Sequence, residues 1–120
     1  MNLLLVGGGG AMGCICRYLL ASSLGERFGI PYGTLVVNLL GSFALALLMS
    51  LPGRFGDPQL RLLLGTGFMG GFTTYSTFNL ETLRLVEAGD WRRAGLYLGL
   101  TLGGCMGGAL LGVALGRTVS

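Results

Sequence analysis

The sequence predicts an all-α membrane protein with four transmembrane helices, the third broken mid-membrane, and three observations carry that expectation. Of 120 residues, 52% are hydrophobic and only 11% charged, too little charge for the surface of a small soluble domain. Four apolar spans, 3–20, 33–51, 60–83 and 94–115, each come near the roughly 20 residues a bilayer core demands. The 24 glycines are foreign to a Leu-packed soluble bundle and suit helices that approach closely in lipid. The connections are short and carry turn residues: Gly25, Glu26 and Arg27; Pro52, Gly53 and Arg54 through Asp57 and Pro58; and Gly89, Asp90, Trp91, Arg92 and Arg93. Residues 1–120 therefore read as one transmembrane domain with no extramembrane module.

The first span opens on glycines at 7–10 and again at Gly13. Gly8, Gly10 and Gly13 match the dinucleotide fingerprint G-x-G-x-x-G, but no strand–helix–strand unit surrounds them, so a close helix contact through Gly9 and Gly13 is the expectation. Residues 1–5 carry no basic residue and no small-residue cleavage site follows, so this span is expected to remain in the protein. Arg17 lies inside the apolar run and reads either as a snorkelling interfacial arginine or as a positive charge at a pore mouth. In the second span Thr34, Asn38, Gly41 and Ser42 share one helical face. The Asn38 amide, with donors and an acceptor at depth, reads as interhelical glue or as an anion ligand.

The third span is the one the others are arranged around. Within GTGFMGGFTTYSTF (65–78), Gly65, Gly67, Gly70 and Gly71 lower helix stability, and the hydroxyls of Thr73, Thr74, Ser76 and Thr77 compete for backbone groups. A break between Gly70 and Thr74 is expected, with its freed carbonyls turned toward protein or an ion. Beyond it Tyr75 and Phe78 are expected to stack along one face, and Glu81 to pair with Arg84 across a turn. The fourth span carries two glycine strips, at 95, 99, 103 and 107 and at 104, 108, 112 and 116. Tyr97, Thr101 and Cys105 form a further strip, either bonded to their own helix or forming a polar rail.

All eight basic residues are Arg, and the two sides of the membrane share the loop and terminal ones evenly, three against three, with Arg17 and Arg84 inside span ends. The positive-inside rule then favours neither orientation strongly, so insertion both ways and antiparallel pairing are expected. Four helices enclose little aqueous path, which also points to an oligomer. The net charge of +3 is too scattered for nucleic acid, and the three cysteines, Cys14, Cys16 and Cys105, lack disulfide or metal spacing. Without histidine or a paired acid at depth, the sequence offers no constellation for catalysis, and a proton-coupled exporter lacks its carboxylate in the first span. Neutral donors and aromatic ring edges remain, which suit a small hydrated anion passing through an oligomeric pore.

GGGGAMGCICRY (7–18), GTLVVNLLGSF (33–43) and GFMGGFTTYSTFNLE (67–81) closely resemble the Fluc (CrcB-type) fluoride channels, over all four spans in the right order. The resemblance implies a passive fluoride-selective channel of a prokaryotic inner membrane that lets accumulated fluoride leave the cell. It also implies a dual-topology antiparallel homodimer with two pores and a central structural sodium ion (Na+). By motif, the carbonyls of Gly70 and Thr73 would hold that ion, and Asn38 would sit in the pore. Tyr75 and Phe78 would take the places of the family's two pore phenylalanines, and Ser76 and Thr77 would contact fluoride. Tyr97, Thr101 and Cys105 fall on the family's polar track, and Arg17 on its vestibule arginine. Tyr75 replaces the usual phenylalanine, and Cys105 stands where serine is expected. The alternative is a small dual-topology proton-coupled exporter.

Overall fold

The structure, a computed structural model, describes residues 1–27, 29–51 and 57–119. The expected turn at Pro52, Gly53 and Arg54 lies outside them. The elements among the described residues are all helical: α1 (Asn2–Leu24), α2 (Tyr32–Ser50), α3 (Pro58–Arg61), a π-helical stretch (Leu62–Met69), α4 (Gly70–Phe72), α5 (Ser76–Glu87) and α6 (Trp91–Val119). An isolated bridge joins Arg27 and Ile30 within the first loop. Three helices, Asn2–Leu24, Tyr32–Ser50 and Trp91–Thr118, are long and apolar enough to cross a membrane.

α1 and α6 run past their expected ends because their caps lie further out. The chain leaves α1 at Gly25, whose positive φ of 59° suits glycine and whose N–H bonds the Ala21 carbonyl. Arg92 and Arg93, expected in the third loop, belong to the first turn of α6. Gly89 (φ 78°) ends α5, and Asp90 then caps α6 by accepting from the Arg93 N–H through Oδ1 and pairing with the Arg93 guanidinium through Oδ2 at 2.9 Å. At 29 residues α6 is about 43 Å long, enough for a bilayer with its headgroup regions.

Glycine decides which helices touch. Gly9 and Gly13 are the buried residues of α1. A Cβ at either would collide with the backbone of the π-helical stretch, at the carbonyls of Leu63 and Phe68. The expected close contact through this pair is therefore present. Gly71 meets the Gly10 carbonyl in the same seam. On α6, Gly104, Gly108, Gly112 and Gly116 lie against Leu39, Phe43, Leu47 and Ser50 of α2. At the other strip, Gly95, Gly99, Gly103 and Gly107, an added Cβ would meet no atom of another element within 4 Å among the described residues.

The third span narrows the expected break, between Gly70 and Thr74, to its threonine end. Its four glycines stay helical: Gly65 and Gly67 lie in the π-helical stretch, where the Gly70 N–H reaches back five residues to Gly65, and Gly70 and Gly71 open α4. The helical path is interrupted later, at residues 73–75, where Thr73 is extended (φ −86°, ψ 155°). The glycines serve close packing, and the threonines after them carry the interruption.

Candidate functional site

The interruption is tied to α2 by one side chain. The Asn38 Nδ2 donates to the Thr74 carbonyl at 3.0 Å, and the Thr74 N–H donates to Asn38 Oδ1 at 2.9 Å. One amide thus closes both backbone groups of a residue that has left the helix, as buried peptide groups require. Thr74 then starts α5, its Oγ1 accepting from the Thr77 N–H at 3.3 Å and donating to Thr77 Oγ1 at 3.2 Å. The Thr73 methyl sits on Gly41, where a Cβ would collide with it.

These diversions leave specific carbonyls without their helical partners. In a continuous helix the Thr74 N–H would bond the Gly70 carbonyl and the Thr77 N–H the Thr73 carbonyl. Asn38 and Thr74 Oγ1 take those two N–H groups instead. The Gly71 carbonyl accepts from Arg17 Nε at 3.1 Å, so Arg17 is half-buried against the break.

Beside the interruption lies a cleft of about 440 Å³. It brings together Asn38, Tyr75, Phe78, Thr101 and Cys105, with Thr73 and Ser42 on its wall. Phe78 is 1% exposed, whereas Tyr75 is 68% exposed. The two rings are tilted at 58° with centroids 5.7 Å apart, not stacked as expected, because Tyr75 precedes the helix that holds Phe78. Behind Phe78 the Tyr97 ring stands at 5.1 Å and 60°, so the aromatic pair is really a series of three. Both contacts are tilted, the arrangement in which one ring's electropositive edge meets its neighbour's face, and Tyr75 and Phe78 line the cleft.

The strip on α6 divides its roles. The Tyr97 hydroxyl donates to Glu81 Oε1 at 3.1 Å, and Cys105 lines the cleft. Thr101, only 5% exposed, has a buried Oγ1 without a hydrogen-bond partner among the described residues, so it is not bonded back to its own helix. A buried hydroxyl left in this state costs about 1–3 kcal/mol. Ser76 and Thr77 do not join the cleft: Ser76 is exposed on the first turn of α5, and Thr77 is occupied by Thr74.

Glu81 corrects one expectation. Its carboxylate does not pair with Arg84. It accepts from Thr34 Oγ1 at 3.2 Å and from Tyr97, joining α2, α5 and α6 below the aromatic series. The signal was present in the spacing: Glu81 follows Phe78 by three residues and so shares its face, while Thr34 precedes Asn38 by four. Among the described residues no three His, Cys, Asp or Glu side chains come together, so neutral oxygens are what the interruption offers a cation.

A chain whose described residues are mainly helical, with three membrane-long apolar helices and a cleft between two of them and the interruption, is a multi-helix membrane protein. A family model described as CrcB-like protein, Camphor Resistance (CrcB), matches residues 4–113, and the chain belongs to this family. Among its relatives is the fluoride-specific ion channel FluC of Shewanella sp. (strain ANA-3), 46% identical over 99 residues and 79% of each chain. The protein of that name from Sorangium cellulosum (strain So ce56) is 50% identical over 95 residues, 76% of this chain and 74% of its own. That of Leptospira interrogans (strain Fiocruz L1-130) is 48% identical over 92 residues, 73% and 72% of the two chains. These relatives carry the name of a channel, and the family is not one of enzymes.

Proposed function

We propose that this chain is a passive, fluoride-selective channel of a prokaryotic inner membrane that lets fluoride leave the cell. The observation that carries the reading is the cleft itself, lined by Asn38, Tyr75, Phe78 and a Thr101 whose buried hydroxyl has no partner among the described residues, in a chain whose relatives are named for fluoride. A small hydrated anion must exchange water for donors that hold it loosely enough to release it. Hydroxyls, one remaining amide N–H of Asn38 and ring edges offer that, with no fixed charge lining the cleft to trap the ion.

The working unit is an antiparallel homodimer of chains inserted both ways, with two pores, each chain a single four-span domain whose third transmembrane helix is broken mid-membrane. In that pair Ser76 and Thr77, which lie off the cleft of their own chain, face the pore of the partner. The carbonyls of Gly70 and Thr73 from both chains hold a structural sodium ion. Two observations support the fit: both carbonyls are denied their helical N–H groups, and the donor set is neutral oxygen, suited to a hard monovalent cation. Bound there, the ion supplies the positive partner that the broken backbone lacks.

Purified protein in liposomes, followed with a fluoride electrode, tests the reading. Rapid fluoride efflux with little chloride efflux is expected, unchanged when a protonophore collapses the pH gradient. Equal chloride efflux would remove the selectivity. Transport that requires the gradient and is lost in Glu81→Gln would favour the coupled exporter instead.

A further inference from the structure

Arg17 reaches from α1 across to the interruption, and its Nε donates to the Gly71 carbonyl at 3.1 Å. The carbonyls around the break are thereby divided. Gly71 goes to a guanidinium and Thr74 to the Asn38 amide, while those of Gly70 and Thr73 lose the N–H groups a helix would bring them. The arginine charge is thus held one residue from Gly70.

We infer that Arg17 is the specificity-determining residue of the cation site at the break: it admits a monovalent ion and excludes a divalent one. The inference rests on the reading of Gly70 and Thr73 as cation ligands given above. Repulsion between a fixed positive charge and a bound cation scales with the charge of the ion, so a divalent ion meets twice the opposition. Neutral carbonyls offer dipoles but no charge to offset it. The hydrogen bond also removes the Gly71 carbonyl from the ligand set, and calcium requires about six to eight oxygens. In a twofold pair both guanidinium groups act on the one ion. Arg17 therefore serves as a positioning group for the backbone and as a charge filter for the site.

The test is thermal unfolding of the purified full chain, in the oligomeric state it adopts in detergent, with sodium chloride or calcium chloride at matched ionic strength. The parent protein is expected to gain roughly 4 °C or more in midpoint with sodium and to show no gain with calcium. Arg17→Gln keeps a side-chain N–H donor and removes the charge, so calcium should now raise its midpoint. Arg17→Lys restores the charge and should lose the calcium response. Calcium stabilising the parent as sodium does would overturn the inference without any variant, and so would an Arg17→Gln protein that responds as the parent does. A parent indifferent to sodium would overturn the cation reading and this inference with it, while leaving the fluoride assay to stand by itself.

Discussion

Asn38 and Thr74 exchange two hydrogen bonds across 36 residues of sequence, at 2.9 and 3.0 Å. Because a primary amide both donates and accepts, one side chain replaces both backbone partners that Thr74 gave up by leaving the helix. This is the joint that holds α2 to the interruption and opens the cleft beside it.

Asn38→Asp separates the two halves of that joint. A carboxylate accepts from the Thr74 N–H but cannot donate to its carbonyl, and it adds a negative charge beside the anion path. The expected outcome is a loss of about 1–3 kcal/mol in stability together with fluoride efflux reduced by roughly tenfold or more. Denaturation and electrode traces on the same preparation check it; unchanged efflux would mean that Asn38 is structural glue alone.

Thr101→Val should uncouple stability from transport. The hydroxyl has no partner among the described residues, so an isosteric valine removes an unsatisfied group and stability should stay level or rise by about 1 kcal/mol. Efflux should nevertheless fall, because the donor is lost from the cleft. A variant that is less stable and equally conductive would show that this hydroxyl is bonded in the working protein for structural reasons.

Phe78→Ile keeps apolar bulk between Tyr75 and Tyr97 but removes a ring edge. With Phe78 1% exposed, the smaller side chain should cost about 1–2 kcal/mol and leave the oligomer assembled. Fluoride flux should drop sharply in the electrode assay, by far more than the change in folded fraction explains.

Gly13→Ala and Gly112→Ala test the two glycine seams. Each added Cβ would press on backbone, on Phe68 in the first case and Phe43 in the second. A loss of about 1–3 kcal/mol is expected for each, read as a lower melting midpoint in detergent.

The helices themselves were legible in the sequence, since apolar spans near bilayer length and the turn residues between them are local signals. Gly9 with Gly13, and the strip 104, 108, 112 and 116, were readable as packing surfaces because their period follows from helix geometry. The common face of Thr34, Asn38, Gly41 and Ser42 was readable for the same reason, and all four do line the contact with the interruption, the cleft or Glu81.

Partners distant in sequence were not legible. Composition placed the break between Gly70 and Thr74, and the structure narrows it to Thr73 onward: the four glycines stay helical, three of them packed against α1 or α2. Glu81 had a plausible neighbour in Arg84, and only the approach of α2 and α6 gave its oxygens to Thr34 and Tyr97.

What the sequence by itself determined is a glycine-rich, all-helical membrane chain with one segment ill-suited to a continuous helix, because hydropathy and propensity act through neighbours along the chain. What only the tertiary structure decided is where that segment parts, at residues 73–75, and which groups receive its freed backbone: Asn38 for Thr74 and Arg17 for Gly71. Those assignments depend on distances between helices, and hydrogen bonds form between whatever donors and acceptors packing brings within reach.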